Sequence, residues 1–372
     1  MRINEVKNEL IEKYQWEKTR SWAQALLGEP GIGKSEGVRQ TCETLADMMD
    51  LEMVEYNGSN GKEILNTDEE QFVFMNLPVI AHLTEDFTGI PEKMEDYDLS
   101  KYIPNEWAKV LSENPGVLFL DDFLDVQMRS KMSLAYRIVL NRRIGYTDIH
   151  DGVMVVIASN TPESSSLSQL MPNPLRNRME IIEVSSPKKK EWARYMNRVH
   201  GNDWDKRTLA FLKRWESEGY LMKAPEETEG VKNFPTPRTW EQTALRINQT
   251  ENQEVLNGLL GPAVGSQLKS FLNSNVDLDD VLDSPERWND LNLDQKYMLA
   301  NQLSSYLSDP ENFSGKTVNL LDIMWDDSRQ YPTTVIISMD KDSMEKLFEN
   351  LSEVDEKYLD MISGLVRDRN RL

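Results

Sequence analysis

An eight-residue glycine-rich stretch, "GEPGIGKS" at residues 28–35, constrains the fold of this chain more than any other feature. It reads G-x-x-x-x-G-K-S, and it lies between an apolar run at 22–28 and a helix predicted over 34–49. Glycines let a backbone wrap closely around phosphate oxygens, and the amino end of the following helix adds a positive dipole. A strand, this loop and a helix in that order predict an α/β fold with a phosphate site at the sheet edge.

The residues of the loop have separate expected roles. The Lys34 ammonium would reach the outer phosphates of a nucleoside triphosphate, and the Ser35 hydroxyl would bind Mg²⁺. The rest of the loop would cradle the phosphates, and it consists of Gly28, Glu29, Pro30, Gly31, Ile32 and Gly33. A nucleotide and Mg²⁺ are therefore the ligands that this stretch predicts.

A second stretch, "GVLFLDDF" at 116–123, is a buried strand that ends on two adjacent carboxylates. In P-loop proteins a second strand ends beside the phosphate cradle, and its terminal aspartate holds Mg²⁺. Asp121 fits that role. Asp122 would then face the γ-phosphate and orient or deprotonate the attacking water. The plainer alternative for the pair is a helix cap, because aspartate is favoured there.

Other short apolar strands are predicted at 51–61, 72–80, 153–159 and 181–184, and the second core strand is either of the first two. Strands that alternate with helices are typical of a mostly parallel sheet covered on both faces. A helix is predicted after Asp122 through about residue 141, and a hairpin follows with its turn near Asp148. After residue 185 the pattern becomes helical.

The segment 84–105 is predicted to be a loop, with prolines at 91 and 104. Within it, Phe87 and Ile90 either face a central pore or pack on the sheet. The sequence does not decide between these two alternatives.

Composition narrows the class of protein further. With 42 Lys and Arg against 63 Asp and Glu, the formal charge is −21, which argues against a protein that binds duplex DNA through phosphate contacts. Counted along the chain, residues 41–100 carry −13 and 251–372 carry −12, whereas 101–250 carry +3. Cys42 is the only cysteine, and we expect it to be packed rather than reactive.

Targeting and metal signals are weak. The three histidines lack metal-ligand spacing, no apolar run approaches a membrane span, and the charged amphipathic N-terminus is not typical of a secretion signal. These features predict a soluble cytoplasmic protein.

Five separated motifs now agree in order: "GEPGIGKS", "GVLFLDDF", "VVIASN", "PNPLRNRM" and "FPTPRTWE". The chain thereby resembles the AAA+ ATPases over about residues 20–275, and its details resemble their MoxR-type, dynein-like branch. The resemblance implies an αβα sandwich with a five-stranded parallel sheet, a helical lid and a helical C-terminal extension. The expected domains are a nucleotide-binding core at 1–187, a lid with sensor 2 at 188–275 and an acidic extension at 276–372.

The resemblance also assigns roles to single residues. Asn160 matches the sensor 1 residue that positions the lytic water, and Arg238 matches sensor 2, a lid arginine on the nucleotide of its own subunit. Arg178 matches the arginine finger that reaches a neighbouring subunit's nucleotide, with Arg176 as the rival. The family therefore implies ATP hydrolysis with Mg²⁺ in a hexameric ring. It also implies chaperone-like remodelling of a protein partner, with a von Willebrand A-domain protein as a frequent co-worker.

One residue departs from the family, which usually has Asp-Glu where this chain has Asp121-Asp122. A base displaced by about an ångström loses on the order of 10²-fold in rate. Either the backbone compensates, or the chain is a slow ATPase that works as a switch or scaffold. If the base is too distant, Asp122→Glu would raise turnover; if the backbone has adapted, the longer side chain would slow it.

The main alternative function is a nucleic-acid motor or loader. In such a motor Arg142 and Arg143, in "RRIGYTDIHDG", would face the pore, which supports the alternative weakly, whereas the net charge argues against a nucleic-acid partner.

Overall fold

The computed structural model describes residues 1–94, 99–125, 136–161, 171, 173–223, 233–274, 276–309, 312–339 and 343. The chain divides into two compact units, Met1–Ser186 and Pro187–Leu372. The division falls immediately before the segment "PKKK". The further boundary between residues 275 and 276 stays a prediction.

The first unit is built on a six-stranded parallel sheet. Its strands are β1 (Ala23–Gly28), β2 (Glu52–Glu55), β3 (Gln71–Pro78), β6 (Gly116–Asp121), β9 (Val153–Ser159) and β10 (Met179–Val184). They lie in the order β10-β1-β9-β6-β3-β2. The sheet has one strand more than the family resemblance implied, because β2 and β3, the two candidates for the second core strand, are both part of it: β3 pairs with β6, and β2 pairs with β3.

Helices cover both faces of this sheet, as the uninterrupted apolar strands predict. The helices of the first unit are α1 (Ile3–Gln15), α2 (Glu17–Arg20), α3 (Lys34–Met49), α4 (Gly61–Asn66), α5 (Thr84–Thr88), α6 (Glu106–Glu113), α7 (136–141) and α8 (Asn173–Arg176). On one face, Leu118 and Val155 belong to the same buried cluster as Trp107 of α6. On the other, the Phe72 ring lies 5.5 Å from the ring of Tyr14 in α1.

The segment predicted to be a loop is partly regular, so that prediction was wrong. Helix α5 is followed by an antiparallel hairpin of β4 (Ile90–Lys93) and β5 (Ser100–Ile103). Periodicity is a poor guide here, because each element is only four or five residues long. Of the two residues left open, Phe87 is buried in the core and Ile90 is 64% exposed.

The predicted hairpin after α7 is present, but its turn is earlier than expected. Strands β7 (Arg143–Ile144) and β8 (Thr147–Asp148) pair around Gly145 and Tyr146, so Asp148 lies in a strand. Gly145 has a φ of 59°, which glycine adopts without steric cost and which permits the tight turn. Of the helix predicted from Asp122 to about residue 141, residues 123–125 form a 3-10 turn, 136–141 are helical and 126–135 lie outside the described residues.

The second unit is helical, as predicted. Its core is rich in aromatic side chains: the ring of Phe211 lies within 5.6 Å of those of Trp240 and Phe271. Its helices are α9 (Lys189–His200), α10 (Arg207–Arg214), α11 (Pro237–Ile247), α12 (Gln253–Leu260), α13 (Pro262–Leu272), α14 (Leu278–Asp283), α15 (Leu293–Tyr306), α16 (Gly315–Asp327) and α17 (Gln330–Ser338). Across the described ranges of both units, every helix is too short or too polar to traverse a lipid bilayer.

Candidate active site

The glycine-rich loop connects β1 to α3 as predicted, with α3 beginning at Lys34. Gly31 and Gly33 have φ values of 76° and 96°, in the left-handed region where a side chain would be strained. At Gly28 the constraint is space, because β10 runs alongside. A Cβ there would overlap the carbonyl oxygen of Val184 and lie 2.9 Å from Cδ1 of Ile32.

We expect Gly28→Ala to destabilise the first unit, because the added methyl group meets rigid strand backbone. Overpacking of this kind typically costs about 1–3 kcal/mol. Gly258→Ala is the matched control, since Gly258 lies within α12 and a Cβ there has no neighbour within 4 Å among the described atoms. Thermal unfolding followed by circular dichroism should show a lowered midpoint for the first variant and an unchanged or raised one for the second. Equal midpoints would contradict the close approach of β1 and β10.

The ammonium of Lys34 links the loop to the end of a neighbouring strand. Its Nζ donates hydrogen bonds to the carbonyl oxygens of Gly28 and Glu29, at 2.7 and 2.9 Å, and to Oδ1 of Asn160, at 3.3 Å. Lys34 is only 8% exposed. Since Asn160 directly follows β9, a buried cation and a polar amide meet at the carboxyl edge of the sheet.

The hydroxyl of Ser35 and the first carboxylate are also adjacent. Ser35 Oγ donates a 2.9 Å hydrogen bond to Oδ2 of Asp121, the last residue of β6. A hydroxyl and a carboxylate are oxygen ligands of the kind that Mg²⁺ prefers, and Mg²⁺ bound with substrate phosphates needs only one or two protein ligands. The pair therefore fits the expected metal. Elsewhere in the described ranges, no three His, Cys, Asp or Glu side chains gather to hold a metal ion.

The second carboxylate has an unusual backbone. Asp122 follows β6 with a φ of 51°, and its N–H donates to Oδ1 of Asp121 at 3.1 Å. Aspartate and asparagine tolerate this left-handed conformation better than other non-glycine residues. The sheet edge thus brings together Lys34, Ser35, Asp121 and Asn160, with Asp122 next in the chain.

A residue that the sequence analysis missed ties two of these strand ends together. The fully buried hydroxyl of Ser159, the last residue of β9, accepts a 3.1 Å hydrogen bond from the N–H of Leu124. This bond holds the turn after Asp121 against the strand that presents Asn160. Its only sequence signal is a polar residue at the end of an apolar strand.

The two candidate finger arginines, Arg176 and Arg178, lie at the opposite end of the strands from the glycine-rich loop. Arg176 ends α8 and Arg178 follows in the turn before β10, and both are exposed. Strand β10 pairs in parallel with β1, so Gly28 is aligned with Val184 at the far end. Six extended residues span about 20 Å. The arginines are therefore well separated from the glycine-rich loop of their own chain.

The candidate sensor 2 arginine lies in the second unit. Arg238 is exposed on the first turn of α11. Pro237 occupies the first helical position, and the Thr236 side chain accepts a 3.1 Å hydrogen bond from the N–H of Thr239. The proline and the capping box fix the residue at which the helix begins. Arg238 therefore lies on the first turn of the helix, as the sequence predicts.

The two arginines behind the nucleic-acid alternative are both engaged within the first unit. Nη2 of Arg142 donates to the carbonyl oxygens of His150 and Val153 at 2.8 and 2.9 Å, and burial lowers the pKa of this guanidinium. Arg143 is exposed but forms an ion pair with Asp148 across the hairpin, with Nη2 3.0 Å from Oδ2. Arg142 is half-buried and bonded to two carbonyl oxygens, and the exposed charge of Arg143 is compensated by Asp148.

The single cysteine is not part of the site. Cys42 is fully buried in α3, and burial raises the pKa of its thiol well above the ordinary value. As predicted, it is a packing residue.

Comparisons with known proteins give weak likenesses. No protein-family model matches the chain, and no curated protein matches it. Solved structures similar to it include one from Cytophaga hutchinsonii, at 16% identity over 54% of this chain and 51% of that chain, with a TM-score of 0.33. This chain thus spans about half the length of that protein.

Two further solved structures are matched over most of this chain. C. elegans PCH-2 is 13% identical over 94% of this chain and 68% of that chain, with a TM-score of 0.30. Aquifex aeolicus DnaA bound to AMPPCP is 11% identical over 98% of this chain and 91% of that chain, with a TM-score of 0.33. Because all these identities and TM-scores are low, these likenesses carry no conclusion about the function of this chain.

Proposed function

We propose that this protein is an ATP-hydrolysing AAA+ protein that acts as a ring. The observation that carries the proposal is the hydrogen-bonded set at the carboxyl edge of the sheet. There the lysine of a glycine-rich loop meets Asn160, and the adjacent Ser35 meets Asp121. A chance glycine turn would not bring residues of two further motifs, Asp121 and Asn160, to the same edge.

Within this site the chain would bind the phosphates first. The N–H groups of the loop and the amino end of α3 would interact favourably with the anionic phosphate oxygens of the nucleotide. Lys34 would add a positive charge. Ser35 and Asp121 would hold Mg²⁺, which when bound neutralises charge on the phosphates. Asp122 would accept a proton from the attacking water, and Asn160 would orient that water. Arg238 would contact the nucleotide of its own chain from the lid.

The separation of the finger arginines from their own loop supports a shared site. An arginine at the amino edge of β10 would contact the nucleotide of a neighbouring copy, and Arg178 is our first candidate with Arg176 as the rival. A contact that repeats from copy to copy closes into a ring when its rotation closes. We propose a hexamer, as in the family that the motifs resemble.

We further propose the MoxR-type role for this ring, in which ATP hydrolysis remodels a protein partner, with a von Willebrand A-domain protein as one such partner. The engagement of Arg142 and Arg143 supports a protein rather than a nucleic acid as the substrate. A severalfold stimulation of ATP turnover by duplex or single-stranded DNA would instead favour the nucleic-acid motor or loader. Co-purification tests this role. Proteins that stay bound to an ATP-locked Asp122→Asn ring, but are released by the parent, would identify the class of partner.

Lys34→Ala tests the nucleotide assignment directly. Hydrogen bonds to charged groups are worth about 1.5–3 kcal/mol, so we expect ATP affinity to fall by about 10- to 150-fold. Fluorescence titration with a labelled ATP analogue measures this affinity. Lys7→Ala is a control, since Lys7 lies in α1, where Nζ donates to Oε1 of Gln40 at 3.2 Å. Binding by Lys34→Ala at the parental affinity would refute the assignment.

A further inference from the structure

The carboxylate of Glu241, three residues after Arg238 in α11, is held by two side chains of α9. The hydroxyl of Tyr195 donates a hydrogen bond to Oε1 of Glu241 at 3.0 Å, and Nε2 of His200 lies 2.8 Å from the same oxygen. Because a carboxylate only accepts hydrogen bonds, His200 donates from Nε2. Two donors from one helix therefore converge on a single oxygen of the next.

This cluster of Tyr195, His200 and Glu241 is partly shielded from water. The side chains of His200 and Glu241 are 20% and 25% exposed, and the rings of Tyr195 and His200 meet edge to face with centroids 6.4 Å apart. A hydrogen bond to an ionised acceptor is stronger than a neutral one, and reduced contact with water strengthens it further. The cluster therefore fixes the direction of the Glu241 carboxylate.

The first turns of α11 are also held by contacts that do not involve Glu241. Nε1 of Trp192 in α9 donates to the carbonyl oxygen of Pro237 at 3.1 Å. Nε1 of Trp240 donates to the carbonyl oxygen of Tyr220 at 2.6 Å. Both bonds are buried, so they hold the start of the helix independently of the carboxylate.

The spacing of Arg238 and Glu241 would ordinarily allow an ion pair between them. Residues three apart on a helix are neighbours, with about 5–6 Å between their Cβ atoms, and opposite charges at this spacing attract. Within the described ranges, however, the exposed guanidinium of Arg238 has no hydrogen-bond or ion-pair partner. Glu241 is directed towards α9 instead.

We propose that Tyr195 and His200 withhold the Glu241 carboxylate from Arg238 and thereby keep this arginine available to the phosphates of the nucleotide. The inference rests on the proposed function, in which Arg238 contacts the nucleotide of its own chain. A carboxylate released from α9 would compete with phosphate oxygens, because a guanidinium binds both kinds of anion in the same way. Tyr195 and His200 are thus positioning residues that act through Glu241.

The double variant Tyr195→Phe/His200→Leu tests this arrangement, because it removes both donors and keeps most of the side-chain volume. Titration with a labelled ATP analogue should show an affinity about two- to fivefold below that of the parent, the effect of an exposed ion pair that must first be broken. Adding Glu241→Gln should restore the parental affinity, since a neutral amide competes poorly with phosphate. A cluster that only stabilised the lid would not be rescued by a third substitution.

Three further variants complete the test. Glu241→Gln alone should bind ATP as the parent does, because its carboxylate is already withheld. Tyr195→Phe alone, which preserves the ring, should show a smaller loss that Glu241→Gln also restores. In an Arg238→Ala background the double substitution should have no additional effect on ATP affinity, because the residue on which it acts is absent. Thermal unfolding followed by circular dichroism checks that each variant is folded.

The outcomes separate this inference from the proposed function. Parental affinity in both Tyr195→Phe and the double variant, or a triple variant that binds ATP no more tightly than the double variant, would overturn the inference and leave the proposed function standing. A loss of affinity in Glu241→Gln alone would also overturn it. Parental ATP affinity in Arg238→Ala would instead overturn the role that the proposed function gives to Arg238.

Discussion

The Arg178→Ala variant is expected to bind ATP with the parental affinity and to hydrolyse it about 10³- to 10⁵-fold more slowly, the range for arginine fingers in phosphoryl transfer. Affinity should be unchanged because Arg178 lies about 20 Å of strand away from the loop of its own chain. Hydrolysis should fall because the neighbour's site loses the cation that stabilises charge in the transition state. Nucleotide titration and steady-state phosphate release measure the two effects separately.

Mixing distinguishes a shared site from a defect within one chain. Arg178→Ala combined with Asp122→Asn should regain part of the activity, since a mixed ring contains some sites with both residues intact. Arg176→Ala is the matched comparison, two residues earlier and also exposed. If Arg176→Ala shows the slow, complementable behaviour and Arg178→Ala does not, the finger has been assigned to the wrong arginine. If neither variant slows hydrolysis, the shared site is refuted.

The Asp122→Asn variant should bind ATP and stall, with turnover reduced by about 10²- to 10⁴-fold, the usual contribution of a general base. The substitution should leave the backbone unchanged, because asparagine tolerates the left-handed conformation that Asp122 adopts with a φ of 51°. Nucleotide affinity should change little, since Ser35 and Asp121 are unaltered. Turnover at the parental rate would show that Asp122 only caps the turn.

The left-handed backbone at Asp122 favours one of the two outcomes left open for Asp122→Glu. A glutamate in the left-handed region costs roughly 1–2 kcal/mol, and its longer side chain starts from a backbone already shaped for aspartate. We therefore expect Asp122→Glu to hydrolyse ATP more slowly than the parent, and phosphate release measures this. A faster Asp122→Glu would mean that the base of the parent stands too far from its water.

The elements that local sequence patterns predicted well are those whose cause is local. The loop at 28–35, the helix that follows it and the apolar strands were predicted correctly from the sequence. Their causes are the conformational freedom of glycine, helix capping and burial of a strand on both faces, and each of these acts within a few residues. The same holds for Arg238, whose helix start is set by Pro237 and the Thr236 cap. Position along a strand also placed Asp121 and Asn160 at one edge, because parallel strands end together.

Long-range packing decided the rest. The pairing of β2 with β3 made a six-stranded sheet, since strand neighbours are chosen by contacts between residues distant in the chain. The short β4–β5 hairpin and the hydrogen bond from Leu124 to Ser159 join segments whose periodicity carries no signal of the partner. Exposure is likewise a property of the assembled surface. The sequence does not show whether Trp16 and Trp22 are buried, and only the packing of α1, α2 and β1 leaves them exposed to solvent.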